Sequence, residues 1–313
     1  MSSIQRNPPS AEEYAAYADR FNNRGRWGEQ DELGTLNFIT SEVRREAAAT
    51  VTQGRVVSLG RPIQTRPGPS NPWPANHMVG MPQAQGAGDY LGMYLHSFVD
   101  THIDALSHTA GPDGLVWNGK SLGRDGMPTE HSGTVDFWRD GIVTRGVLYD
   151  VPRHRGTDFV APGEPVHGWE LAEIAAAQGI TPRSGDAVLI RSGLDAYWAA
   201  TDAYPPFASV TGVHASALEF LYETEAAVLM WDFQDAPESD QGIPNPLDVP
   251  IPIAMHVHAI ALPLMGLPLV DNVQLETLAS SCAARSSWEF QIVVAPLIIP
   301  GGTGSPVNPL AIL

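Results

Sequence analysis

Between Leu95 and Thr109 the chain reads LHSFVDTHIDALSHT, which places His96, His102, Asp104 and His108 all at even positions. Alternate side chains of an extended backbone leave on the same side, so this parity directs the polar groups to one face wherever the segment stays extended. The odd positions Val99, Thr101 and Ile103 are β-branched, as suits the packed face of a strand. Extended throughout, the segment from His96 to His108 would run about 40 Å, beyond an ordinary strand. A bend around Ser97 or near Leu106 is therefore predicted, with any site at a strand end.

The residue types set the chemistry. Neutral imidazoles with a carboxylate suit a borderline or hard divalent cation such as Zn²⁺ or Mn²⁺, and the lack of nearby thiolate counts against iron–sulfur or copper(I). The same groups could form a metal-free acid–base relay. A plainer alternative makes His102 and His108 hydrogen-bonded core histidines and Asp104 a turn cap. Three histidines and an aspartate at this spacing favour metal ligation.

Composition narrows the partners. The chain has 313 residues, 43% of them apolar, enough for a sizeable core in one large domain or two small ones. Lysine and arginine total 18 against 35 acidic residues, a formal charge of −17. Such a surface repels phosphate backbones and anionic headgroups, so neither nucleic acid nor membrane is expected as a partner. No apolar run resembles a signal peptide or a membrane span, which leads us to expect a cytoplasmic protein with a small-molecule substrate. The single cysteine, Cys282, lies in the helix-like LETLASSCAARSS and reads as a packed thiol rather than a nucleophile.

Along the chain, helices are predicted over Ala11–Arg20, from a Ser41 cap through Ala49, over Gly168–Gln178 and over Ala215–Glu223. Strands are predicted at Gly54–Leu59, Gly141–Val151, Asp186–Arg191, Ala227–Asp232 and Phe290–Leu297. Their alternation indicates an α/β chain with a mixed or parallel sheet and helices packed outside. The stretch from Arg61 to Gly92, rich in proline and glycine, reads as an ordered surface loop that could cover the site and bring His77 to it.

A second polar pair lies in MHVHAIALPLMGLPLVDN, where His258 and Asp271 stand thirteen residues apart across Gly266. Two apolar runs folding back at that glycine would bring them to one end, although Asp271 also suits a turn or helix cap beside Asn272. His256 shares the parity of His258. Asp232 and Asp235 follow the strand VLMW, a position that often lines a cleft, and Arg191 could meet a substrate carboxylate or a protein acid. GGTGSP from Gly301 lacks the ending of a phosphate loop and reads as a tight turn near the site. No dinucleotide fingerprint, serine elbow or paired Cys-x-x-Cys is present.

The run THIDALSH resembles the signature of the metal-dependent cyclase family, also described as kynurenine-formamidase-like or isatin-hydrolase-like, whose short form is H-x-G-T-H-x-D-x-P-x-H. Thr101, His102, Asp104 and His108 match it, while Phe98, Asp100 and Leu106 replace its first histidine, glycine and proline. The pattern is nearer a longer subfamily ending T-H-x-D-A-L-x-H and followed by D-G and N-G turns. There His96 takes the first-histidine place, and Asp113-Gly114 and Asn118-Gly119 supply the turns. Segments at Arg24–Thr40, Gly185–Gly193, Val228–Pro237, His258–Asn272 and Ala295–Pro309 resemble further family blocks in the family's order.

The resemblance implies a compact β-barrel-like mixed sheet flanked by helices, the swivelling β/β/α arrangement. It also implies one domain over residues 1–313 with an N-terminal extension of about 40 residues, assembled as a homodimer or homotetramer. His96, His102 and Asp104 would hold Mn²⁺ or Zn²⁺, with Asp271 standing where the family has a longer glutamate and His258 orienting water or substrate or holding a second ion. Trp27 would provide an aromatic wall for substrate. A cation so held would bring the pKa of a water from about 16 toward 7, with His108, titrating near the working pH, as general acid/base. The expected activity is metal-dependent hydrolysis of an acyl C–N or C–O bond in an aryl formamide, cyclic amide, imide or lactone. The alternatives are a cyclase or lyase acting on a polyketide-like or aromatic precursor, where the ion would stabilise an enolate, and a metal-holding scaffold without turnover.

Overall fold

The computed structural model describes residues 6–80, 86–201, 211–247 and 255–313. Nine strands form one sheet: β1 (Val56–Ser58), β4 (His102–Asp104), β5 (Ile142–Asp150), β6 (Ala187–Arg191), β7 (Val228–Trp231), β8 (Leu269–Asp271), β9 (Glu289–Val294), β10 (Gly304–Pro306) and β11 (Leu310–Ile312), in the order β1-β11-β9-β5-β6-β7-β8-β4-β10. The four central strands β5 to β8 run parallel, and the strands on either side pair antiparallel. The sheet curls into a half-barrel flanked by helices, in agreement with the expected mixed α/β class.

The central strands are near-continuous apolar runs because layers cover both faces of a parallel sheet. Every residue of β6 and β7 is buried. One side is packed by α4 (Gly168–Gln178) and α6 (Ala217–Glu223), which also contact each other, and α2 (Ser41–Ala49) lies against β5 and β9. Trp231, Tyr149, Phe220 and Phe290 are among the largest fully buried side chains. One hydrophobic cluster runs from Tyr14 to Leu313, so the N-terminal helix α1 (Ala11–Arg20) packs on the same core as the last strand.

Several sequence boundaries hold and others move for identifiable reasons. Helix α1 starts where Ser10 and Glu13 close a reciprocal capping box. Helix α2 is capped by Thr40, whose hydroxyl accepts the Val43 N–H, so Ser41 is its first helical residue. The 61–92 stretch contains a small antiparallel ribbon of β2 (Asn76–Val79) and β3 (Asp89–Gly92) rather than loop alone. Its residues are almost all exposed, so no inside–outside alternation marks it in the sequence. Cys282 is buried in α9 (Glu276–Arg285) as expected. Among the described residues, no helix is long and apolar enough to cross a membrane.

The apolar run before Gly266 is also different from expectation, since it is helical rather than extended. α8 (His258–Ile260) leads into a π-type turn over Ala261–Met265 that stops at Gly266, and β8 begins three residues later. Gly266 has φ of +69°, and a Cβ there would lie 2.6 Å from the Trp117 ring. Substitution Gly266→Ala should therefore cost roughly 2–4 kcal/mol from left-handed strain plus overpacking. A thermal unfolding midpoint unchanged from the parent would contradict that close fit.

Candidate metal centre

The three-residue strand β4 carries the centre. His102 and Asp104 project to one side of the sheet while Ile103, fully buried, enters the core on the other. β4 lies between β8 and β10, and its register sets His102 opposite Asp271 and Asp104 opposite Gly304. Directly opposed residues share a face, so antiparallel pairing delivers an acid from 169 positions later in the chain. A Cβ at Gly304 would meet the His96 ring at 2.8 Å, which makes glycine necessary there for the ring to fit.

His96 and His108 reach the same place by bends at both of the positions named as alternatives, not by strand parity. The Ser97 hydroxyl accepts the Asp100 N–H (2.8 Å), and the Asn272 side chain donates to the Ser97 and Asp100 carbonyls (3.0 and 3.1 Å). After β4 the chain turns again, with His108 N–H donating to Ala105 carbonyl (2.9 Å). The rings of His96 and His108 stack with centroids 3.5 Å apart and an 11° interplanar angle. The run is thus three extended residues between two bends.

Hydrogen bonds fix which atoms face inward. His102 Nδ1 donates to the Asp100 carbonyl (2.9 Å), and His258 Nδ1 is bonded to the Asp235 carboxylate, which also accepts the Val257 N–H. Both imidazoles therefore present Nε2 to the centre, the usual arrangement of a ligating histidine held from behind. The Trp231 indole N–H donates to Asp271 Oδ1, leaving Oδ2 for the centre. His102 Nε2 stands 3.4 Å from Asp104 Oδ1 and 3.8 Å from Asp271 Oδ2; His258 Nε2 stands 3.5 Å from Asp104 Oδ2 and 3.6 Å from Asp271 Oδ2. His96 Nδ1 meets Asp104 Oδ1 at 2.7 Å, and its Nε2 meets the Thr303 hydroxyl at 2.9 Å.

This donor set fits a divalent cation. Tetrahedral ligands held at 2.0–2.2 Å from one ion stand about 3.4 Å apart, close to the observed spacings. Asp104 Oδ2 is buried with no hydrogen-bond partner, a costly state that a cation would relieve. Two groups of donor atoms, His96–His102–Asp104 and Asp104–His258–Asp271, each lie within 4.8 Å and share Asp104.

The charges agree. Burial disfavours the imidazolium of His102, yet the Asp104 and Asp271 carboxylates outweigh it and lift the pKa to about 9. Burial likewise opposes the charge on His258, but Asp235, Asp104 and Asp271 hold its pKa well above the ordinary value. Asp104, despite its burial, is held far below the usual carboxylate range by His108, His102 and His96. The carboxylates thus demand positive charge, which protons supply when no cation does. His108 goes the other way: burial, with the neighbouring imidazoles, pushes it down to about 3 against the pull of Asp104. Its side chain is 22% exposed and its Nε2 lies 4.0 Å from Asp104 Oδ2.

A cavity of about 500 Å³ opens above these groups, walled by Trp73, Tyr94, Phe98, Gln234, Leu247 and Met255. The expectation for Trp27 is also corrected. It packs between Phe38 and Trp117 with Arg26 over its ring, and it does not line the cavity. His77 pairs with Asp89 on the exposed ribbon, and His256 is bonded to the Ile243 and Pro244 carbonyls. Arg191 pairs with Asp150 and Glu276, while Asp232 accepts backbone N–H groups from Ser192, Gly193, Leu194 and Phe233. Of the two carboxylates after β7, only Asp235 reaches the centre, through His258. The GGTGSP turn does lie beside the site, by way of Thr303 and Gly304. No sequence signal marked the Trp231 indole, since VLMW reads simply as core.

Comparison with known proteins places the chain. The "Putative cyclase" family model matches residues 41–236, which contain His96, His102, Asp104, His108 and Asp235 but stop short of His258 and Asp271. The crystal structure of a novel cyclase superposes over 95% of this chain and 99% of its own, with a TM-score of 0.79 and 27% identity. Isatin hydrolase A from Labrenzia aggregata, bound to benzyl benzoate, covers 88% of this chain and 98% of its own at a TM-score of 0.55 and 17% identity. An isatin hydrolase bound to the product analogue thioisatinate covers 85% and 94% at 0.54 and 16%. These two hydrolases share the fold. A search of curated protein sequences gave no match. With the signature, the half-barrel and a model match over well more than half its length, this chain belongs to the cyclase family.

Proposed function

We propose that the protein is a metal-dependent hydrolase of an acyl C–N or C–O bond. One observation carries the reading: two imidazole Nε2 atoms and two carboxylates converge within 3.8 Å of their neighbours at the floor of an open cavity, one carboxylate oxygen lacking a hydrogen bond. The cation, Zn²⁺ or Mn²⁺, would be held by the donor groups His96–His102–Asp104 and Asp104–His258–Asp271, which share Asp104. His258 is thereby a ligand rather than an orienting base. When bound, the cation supplies Lewis acidity that brings the pKa of a water toward 7 and polarises a carbonyl.

The chain's own residues provide the rest. Asp235 and the Asp100 carbonyl keep both imidazoles in the tautomer that points Nε2 inward, and Trp231 keeps Asp271 turned the same way. His108 lines the cavity and would relay the proton of the attacking water to the departing nitrogen or oxygen at Nε2, a role that needs its basicity to recover from the low value that burial imposes. His96, stacked on it, prevents the ring from swinging away. The likeness to a novel cyclase favours ring closure or elimination as a second reading. Incorporation of ¹⁸O from labelled water into the product marks hydrolysis, and its absence marks the other chemistry.

Metal-dependent turnover of formamides, imides and lactones, abolished by chelator and restored by Mn²⁺ or Zn²⁺, tests the proposal. His108→Ala should keep its metal and circular dichroism yet lose about 10²- to 10⁴-fold in turnover; near-full activity would remove His108 from the mechanism. His102→Ala should drop out of metal binding by elemental analysis. Asp235→Asn should weaken cation affinity about 10- to 100-fold in calorimetry while the fold persists.

Cation uptake should also release protons. With the pKa of His102 near 9, its imidazole is protonated at neutral pH and must lose that proton to bind a metal. Apparent affinity should then rise with pH up to about 9, and calorimetry in buffers of different ionisation enthalpy should detect the released protons. A pH-independent affinity between 6 and 9 would contradict this.

A further inference from the structure

We propose that Trp73 and Tyr94 determine specificity, selecting a flat, uncharged aromatic group for the bond held over the centre. This rests on the hydrolase reading for the identity of the bond, but not for the preference itself. Both rings line the cavity, yet Trp73 is 56% and Tyr94 54% exposed. Their centroids are 5.4 Å apart at an interplanar angle of 47°, and Tyr94 in turn stands edge-on to His96, with centroids 6.3 Å apart. The rim is thus a continuous aromatic surface leading from solvent to the donor cluster.

The chain is built to hold this rim still. Trp73 lies between Pro72 and Pro74, whose fixed φ values, with the restriction each proline places on its predecessor, narrow the backbone choices around the tryptophan. The loop is tied inward where the Asn71 side chain donates to the Gln64 and Arg66 carbonyls (3.3 and 2.9 Å) and Ala75 N–H donates to the Gln64 carbonyl (3.0 Å). Gln64 N–H donates in turn to Asp100 Oδ1 (2.7 Å). Asp100 is also the residue whose carbonyl fixes His102. Indole and phenol surface held rigidly in water gains most from a second flat apolar face, by area burial and by ring–ring attraction.

Charge supplies the other half. Among the described residues no lysine or arginine lines the cavity, while Asp104 and Asp271 lie at its floor. An anionic group away from the reacting carbonyl would therefore meet no compensating cation.

The test is calorimetric binding of benzamide, cyclohexanecarboxamide and 4-carbamoylbenzoate to the full-length protein loaded with Mn²⁺. Benzamide should bind about tenfold or more tightly than either of the others. Trp73→Leu and Tyr94→Leu, which keep apolar bulk and remove the ring, should each shrink the benzamide-to-cyclohexanecarboxamide ratio several-fold, and Trp73→Phe should restore most of it. Equal affinities in the parent, absence of benzamide binding, or a ratio unmoved by both leucine variants would overturn the inference. Ring preference without turnover of any amide, imide or lactone would sink the hydrolase reading and leave the rim as assigned.

Discussion

Everything at the centre of this molecule depends on burying two carboxylates beside imidazoles that can either take a proton or give up a lone pair. Asp104 and Asp271 are each 2% exposed or less, and an ionised carboxylate in such a place is tolerated only with matched positive charge. The surrounding structure is organised to supply that match at defined atoms. Asp235 and the Asp100 carbonyl choose the histidine tautomers, Trp231 turns one acid, and the ladder register sets His102 beside Asp271. The half-barrel acts as a frame that brings three distant parts of the chain to one charge-balanced point.

Legibility in the sequence followed the range of the physics involved. Helices α1 and α4 and strands β5 to β7 were readable because capping, 3.6-residue periodicity and runs dense in β-branched or aliphatic residues are local. The polar cluster around His102 was readable for the same reason, and the length argument required a bend at one of two places, where the chain in fact turns at both. The family resemblance supplied the fold, and it rested on residues that do converge.

What could not be read is tertiary. Nothing near Asp235 says that it supports His258, since the two meet only because the loop after β7 packs on the start of α8. The helical path from His258 to Met265 was hidden by an apolar run that satisfies strand and helix patterns equally. Trp27 sits in an aromatic-rich opening segment that suggested a substrate wall, but Phe38 and Trp117 enclose it. The wall at Trp73 comes from the stretch with least periodicity, where local rules say little beyond the stiffness of proline, and Tyr94 lies just past its end. His108 shows a subtler gap, because residue identity gives an ordinary imidazole and only burial beside other rings lowers its basicity.

The placement of β4 between β8 and β10 has a consequence for biogenesis. The first donors leave the ribosome near residue 100, but their partners His258 and Asp271, the glycine at 304 that admits the His96 ring, and the threonine that holds it all emerge in the last fifth of synthesis. Until then a nascent chain holds the residues of one donor group, His96, His102 and Asp104, and a single member of the other. The second group and the register that seats both are thus completed only by the closing segment of the chain.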